Sequence, residues 1–102
     1  MRIFLKDSFK KLKFYLNQFK YLKMFNQKYN IRYSLDIEII HLNKIQLGNE
    51  GLDLLCKINF LNLIDMSLSE VNTSDFSLMK NAQFLKLNKL FLGKNNIIQI
   101  KI

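Results

Sequence analysis

One short stretch near the C-terminus constrains the fold of this chain more than any other feature. Residues 87–97, Leu-Asn-Lys-Leu-Phe-Leu-Gly-Lys-Asn-Asn-Ile, read LxxLxLxxNxI. Successive positions of a strand face opposite ways, so Leu90 and Leu92 share one face while Lys89, Phe91 and Gly93 share the other. A lone strand with one apolar face is not stable in water; it needs neighbours whose apolar faces line up with its own. The pattern therefore calls for further copies along the chain.

Two are legible. In residues 37–47, Ile37, Ile40, Leu42, Ile45 and Leu47 occupy the five patterned positions. In residues 58–68, Ile58, Leu61, Leu63, Met66 and Leu68 occupy them. Ile45 and Met66 stand where the third copy has Asn95. Read this way, the copies are offset by 21 and 29 residues. The first is followed by Gly48-Asn49-Glu50-Gly51 and then Leu52, Leu54, Leu55 and Cys56, a spacing that predicts a short helix. The second is followed by a polar turn over Ser69–Thr73. Ser74 is placed to cap a helix over about 75–84, with Phe76, Met79 and Leu85 facing in.

These residues resemble the leucine-rich repeat family, whose units run to about 20–29 residues. The run from Ile45 to Leu55, I-Q-L-G-N-E-G-L-D-L-L, is similar to the N-x-I-G-D-E-G-A-x-x-L segment of the ribonuclease-inhibitor-like subclass, which joins the strand's turn to the outer helix. Asn49 stands where that pattern usually has Asp, and the family's turn-bonding Asn is matched only by Asn95. Gly48 and Gly51 suit a tight backbone path into the helix. The resemblance covers about residues 37–100. It implies an α/β solenoid of about three strand-turn-helix units, each burying its apolar face against its neighbours.

The family presents its concave strand surface to partners. Resemblance and alternation together put Ile39, His41, Asn43 and Lys44, then Phe60, Asn62 and Asp65, then Lys89, Phe91 and Lys94 on that face. Phe60 and Phe91 are the expected anchors, since aromatic side chains dominate interface centres; the alternative is that another part of the chain covers one or both. The expected function is a non-enzymatic protein-binding module. The subclass includes inhibitors, GTPase activators and immune-type sensors, but no residue motif specific to those activities is present.

Charge divides the chain at about residues 30–36. Residues 1–34 hold nine Lys/Arg and one acid, Asp7, and nine of the thirteen aromatic residues. Residues 35–102 hold seven Lys and seven acids. The first segment is therefore expected to be a basic helix over 8–28, and the second the repeat array. Asp7 or Ser8 would cap the helix and Asn30 would end it. Leu5, Phe9, Leu12, Leu16 and Phe19 recur at steps of three and four, with Lys6, Lys10, Lys13 and Lys20 on the other side. One reading makes this helix a cap whose apolar stripe seals the first unit. Others are a membrane-surface helix or a nucleic-acid contact acting through those lysines, or a targeting presequence.

The chemistry of catalysis is not spelled out. Three glycines provide no phosphate loop. His41 and Cys56, the only histidine and cysteine, fall on different elements, and no metal-ligand spacing occurs. No paired acids suit acid–base work, and no cofactor is expected. A single cysteine excludes an internal disulfide and fits a reduced, cytoplasmic setting. The closing run Ile97, Ile98, Ile100 and Ile102 carries no polar cap. It raises the expectation of a longer array or of self-association through an open edge, which an intact mass above 12.2 kDa would reveal.

Overall fold

The computed structural model describes residues 2–93, with side chains from residue 8. The chain is a mixed α/β structure. Helix α1 (Arg2–Tyr29) leads into strand β1 (Ile39–Asn43), helix α2 (Gly48–Lys57), strand β2 (Asp65–Ser69), a 3-10 helix (Phe76–Asn81) and strand β3 (Lys89–Phe91). The three strands form one parallel sheet in the order β1-β2-β3. Parallel strands require a crossover between them, and α2 and the 3-10 helix lie in the two crossovers.

The register corrects the second copy of the motif. Ile40 pairs with Met66 and Met66 with Leu90; Leu42 pairs with Leu68. Met66, not Leu61, is therefore the counterpart of Ile40. The second copy runs Leu63-x-x-Met66-x-Leu68-x-x-Val71, five residues later than the sequence spacing indicated. Its strand lies 26 residues after β1 and 24 before β3, which replaces the uneven 21 and 29. Burial agrees: Ile40, Leu63, Met66, Leu68 and Val71 are fully buried, whereas Leu61 is exposed.

Backbone bonds recur at the same two intervals. Ile37, Leu63 and Leu87 donate their N–H groups to the carbonyls of Ser34, Phe60 and Phe84, closing one turn before each strand. Glu38 and Ile64 each accept from two N–H groups of the following unit, those of Ile64 and Asp65 and those of Asn88 and Lys89. Beyond the strands, Lys44 (φ 61°) and Glu70 (φ 55°) take the left-handed conformation at matching positions. The Lys44 N–H bonds to the Ser69 carbonyl and the Gly48 N–H to the Val71 carbonyl, which ties the two turns together. Thr73 occupies the position matching Leu47, fully buried, and its hydroxyl donates to the Gly48 carbonyl at 3.3 Å. That bond offsets the cost of burying a hydroxyl in an apolar layer.

Between β2 and β3 the chain makes a six-residue 3-10 helix rather than the α-helix expected over 75–84. Asp75, not Ser74, caps it, accepting from the Ser77 N–H at 2.8 Å. Phe76 and Met79 take the inward positions, with the same three-residue spacing as the buried Leu52 and Leu55 of α2, while Leu85 is exposed. At 3.0 residues per turn the six residues make two turns of this tighter coil.

Helix α1 begins six residues earlier than its periodicity implied. It closes with a Schellman turn: Asn30 sits at φ 55° and the Ile31 N–H reaches back to the Asn26 carbonyl at 2.9 Å. The Asn26 side chain then holds the departing strand, donating to the Tyr33 carbonyl and accepting from the Tyr33 N–H. Phe25 is fully buried between Tyr29 and Tyr33, at ring separations of 4.8 and 6.3 Å. The Tyr29 hydroxyl donates to the Leu47 carbonyl at 3.0 Å. Gly51 lies directly beneath it, and an added Cβ would stand 2.0 Å from the Tyr29 hydroxyl oxygen. The two glycines of the turn thus serve different ends. Gly48 supplies a positive φ of 66°, and Gly51 supplies room for α1.

The stripe expected to seal the first unit does not do so. Phe9, Leu12, Leu16 and Phe19 are all exposed. The sealing face is Gln18, Leu22, Phe25 and Tyr29, with Tyr21 beside it. It lies roughly 130° around the helix from the exposed stripe, taking 100° per residue.

Candidate partner-binding face

The outward positions of the parallel strands lie in rows fixed by the register. Ile39, Asp65 and Lys89 form one row, His41, Ser67 and Phe91 the next, and Asn43 and Ser69 the third. The opposite faces of β1 and β2 hold Ile40, Leu42, Met66 and Leu68 in the core. Burial of that face fixes the rows, because a one-residue slip would turn the buried residues out to water.

Ile39 and Phe91 are 51% and 56% exposed. Between them lie an ion-pairing geometry and small hydroxyls. His41 Nε2 stands 3.4 Å from Asp65 Oδ1, a diagonal contact across adjacent strands. With its imidazole protonated the pair carries charge; the histidine side chain is 59% exposed, so water screens it strongly. Lys89 extends the row beyond Asp65. The face combines two apolar corners, one acid, two basic side chains and a hydroxyl centre.

The sequence-derived residues divide accordingly. His41, Asn43, Asp65, Lys89 and Phe91, together with Ile39, come together on this face. Lys44 is exposed on the turn just past β1. Lys94 lies outside the described residues, as do Asn95 and the closing isoleucines.

Phe60 and Asn62 do not belong to the face. Phe60 is fully buried and its ring lies 6.3 Å from that of Phe84, its counterpart 24 residues on. Asn62 precedes β2 and accepts from the Lys86 ammonium at 3.2 Å. Both corrections follow from the five-residue shift of the second copy, which moves these residues from the strand into the turn before it. Ser67 and Ser69 take their place. Their signal was available in the spacing Leu63-x-x-Met66-x-Leu68, which gives the more even intervals.

Gly93 bears on the face indirectly. Its missing Cβ would lie 2.4 Å from Phe91 Cζ, so the Phe91 ring rests over the Gly93 backbone. Absence of a side chain at residue 93 lets the ring settle at that edge of the sheet.

Elsewhere, a cavity of about 270 Å³ lies where α1 meets α2 and the 3-10 helix, among Phe14, Gln18, Cys56, Asn59, Asn81 and Gln83. Gln18 Oε1 accepts from the Asn59 N–H, while Asn59 Oδ1 is buried without a hydrogen-bond partner in the structure. Cys56 is buried here. Burial first, and the charge of Asp53 second, push its thiol up to about 12, so it is protonated and unreactive near neutrality. Among the described residues no three His, Cys, Asp or Glu side chains gather as a metal site.

No family model, curated protein or solved structure matches this chain. No described helix is long and apolar enough to cross a membrane.

Proposed function

We propose that the chain is a short leucine-rich repeat solenoid that binds a protein partner through the outward face of its parallel strands, without catalysing a reaction. One observation carries this reading. The rows Ile39-Asp65-Lys89 and His41-Ser67-Phe91 stand side by side on a rigid sheet, with their apolar members left exposed. Recurrence of the pre-strand turn and its hydrogen bonds at intervals of 26 and 24 residues supports the repeat reading, because stacked units reuse the same backbone contacts. Phe91 is the anchor of the proposed interface. Ile39 is the second apolar contact, and His41, Asp65 and Lys89 set charge complementarity.

A photo-crosslinking residue at position 67 tests the proposal, with position 80 on the 3-10 helix as the control. The expected result is protein adducts in cells from position 67, absent from position 80, and lost when Phe91→Ala and His41→Ala are combined. Equal adducts from both positions, or adducts unchanged in the folded double variant, would reject the strand face.

A further inference from the structure

The half of α1 that the repeat body leaves uncovered has a composition unlike an ordinary solvated helix. Phe9, Leu12, Leu16 and Phe19 are 70%, 55%, 59% and 57% exposed. At 100° per residue they fall within an arc of about 80°. Lys13 and Lys20 flank that arc on one side and Tyr15 on the other, Lys23 lies in line with it one turn nearer the body, and Lys11 falls at the phase of the body-facing row. All four lysines are exposed, and residues 1–34 hold nine basic residues against one acid. Four large apolar side chains in one exposed row are a patch that water alone does not explain.

We propose that this stripe lies flat on an anionic phospholipid bilayer. Apolar rings and leucines would enter the boundary between headgroups and acyl chains, and the flanking lysines would remain at the phosphate level. The occupant follows from charge and geometry. A surface this basic repels a second copy of itself, and a nucleic-acid groove gives no apolar phase for four such residues. A bilayer supplies both the negative surface and the apolar layer. The orientation is open as well: because the body packs on the helix face roughly 130° away, it would sit on the water side of a membrane lying against the stripe. The helix would lie on the bilayer and not across it, in keeping with its 28 residues lacking an apolar window of the kind a span needs. The proposal stands apart from the strand face and does not depend on it.

Co-sedimentation of the full chain with phospholipid vesicles tests it. Vesicles of phosphatidylcholine with about one-third phosphatidylserine should bind the chain, and pure phosphatidylcholine should bind it much less. Leu12→Ser combined with Leu16→Ser should weaken binding at least about tenfold. Lys13→Gln and Lys20→Gln should each weaken it about fivefold, with less effect at high salt. Circular dichroism and thermal melting, unchanged across these variants, separate lost binding from lost fold. Absence of binding to the anionic vesicles overturns the proposal, as does undiminished binding by the folded double-serine variant. Binding of single-stranded RNA without vesicle binding assigns the lysines to nucleic acid and also overturns it. So does a doubled solution mass that the serine substitutions abolish, which would make the stripe a dimer contact.

Discussion

The two halves of α1 have similar compositions and opposite fates. Residues 8–17 and 18–29 are both rich in Lys, Leu, Phe and Tyr. In the first, Phe9, Leu12 and Leu16 face water; in the second, Leu22 and Phe25 are core and Tyr29 reaches over α2. The difference is one of phase and reach. Gln18, Leu22, Phe25 and Tyr29 form a row that meets α2 and the loop residues on either side of it, Leu47 and Asn59, and α1 extends past the end of that contact. Apolar periodicity marks which residues can be buried together. It does not identify which of two rows on one helix has something to be buried against.

That contrast can be broken by substitution. Phe25→Ala should cost about 3–5 kcal/mol in denaturant unfolding, as removal of a fully buried aromatic ring leaves a cavity between Tyr29 and Tyr33. A cost below about 1 kcal/mol would mean that α1 is not part of the core. Gly51→Ala comes next, at about 1–3 kcal/mol, because its methyl group would collide with the Tyr29 ring and hydroxyl. Combining it with Tyr29→Phe should recover little, since Tyr29 Cζ also stands only 2.9 Å from the added carbon. Gly48→Ala should cost about 1 kcal/mol, from backbone strain alone, as nothing lies within 4 Å of its Cβ position. Leu12→Ser and Leu16→Ser should change stability by no more than about 0.5 kcal/mol. Hydrogen exchange offers the same contrast without mutation: amides of residues 22–29 should be protected and those of 8–17 should exchange faster.

Cys56 reports on the covered half by its chemistry. Its thiol, pushed up to about 12, should react slowly with an alkylating reagent at pH 8 in the native protein and quickly once Phe25→Ala loosens α1. The linked pH effect has a definite sign. Since the folded thiol holds its proton above the ordinary value of 9.0, its contribution to stability is complete below about pH 9 and is lost as pH rises toward 12. Burial shifts Tyr33 in the same direction, so both groups destabilise the fold as pH rises and neither does so as pH falls below neutrality.

The strand alternation was legible because it is local. At Ile40 and Leu42, burial follows from the spacing alone, and His41 and Asn43 fall outside by the same rule. The second strand was harder to place because Ile58, Leu61, Leu63, Met66 and Leu68 match the template as well as the residues that finally use it. An apolar chain offers several registers at similar local cost. Only pairing with β1 distinguishes them, by giving Met66 and Leu68 neighbours in the core and sending Phe60 inward beneath the turn. The same reasoning applies to the helix ends. Asn30 was recognisable as a stop because Asn tolerates a positive φ, whereas the short coil after β2 was not recognisable as 3-10.

The sequence by itself determined that strands and helices alternate after residue 35, which face of β1 is buried, where α1 stops, and that positive charge gathers in the first third of the chain. Each rests on side-chain period, backbone preference or charge count, and these act between near neighbours. The tertiary structure decided which residues of the second unit enter the sheet, that Ser67 and Ser69 replace Phe60 and Asn62 on its outer side, and which row of α1 meets the body. Those outcomes depend on contacts between residues 20 or more positions apart, where the burial of one candidate register excludes the others.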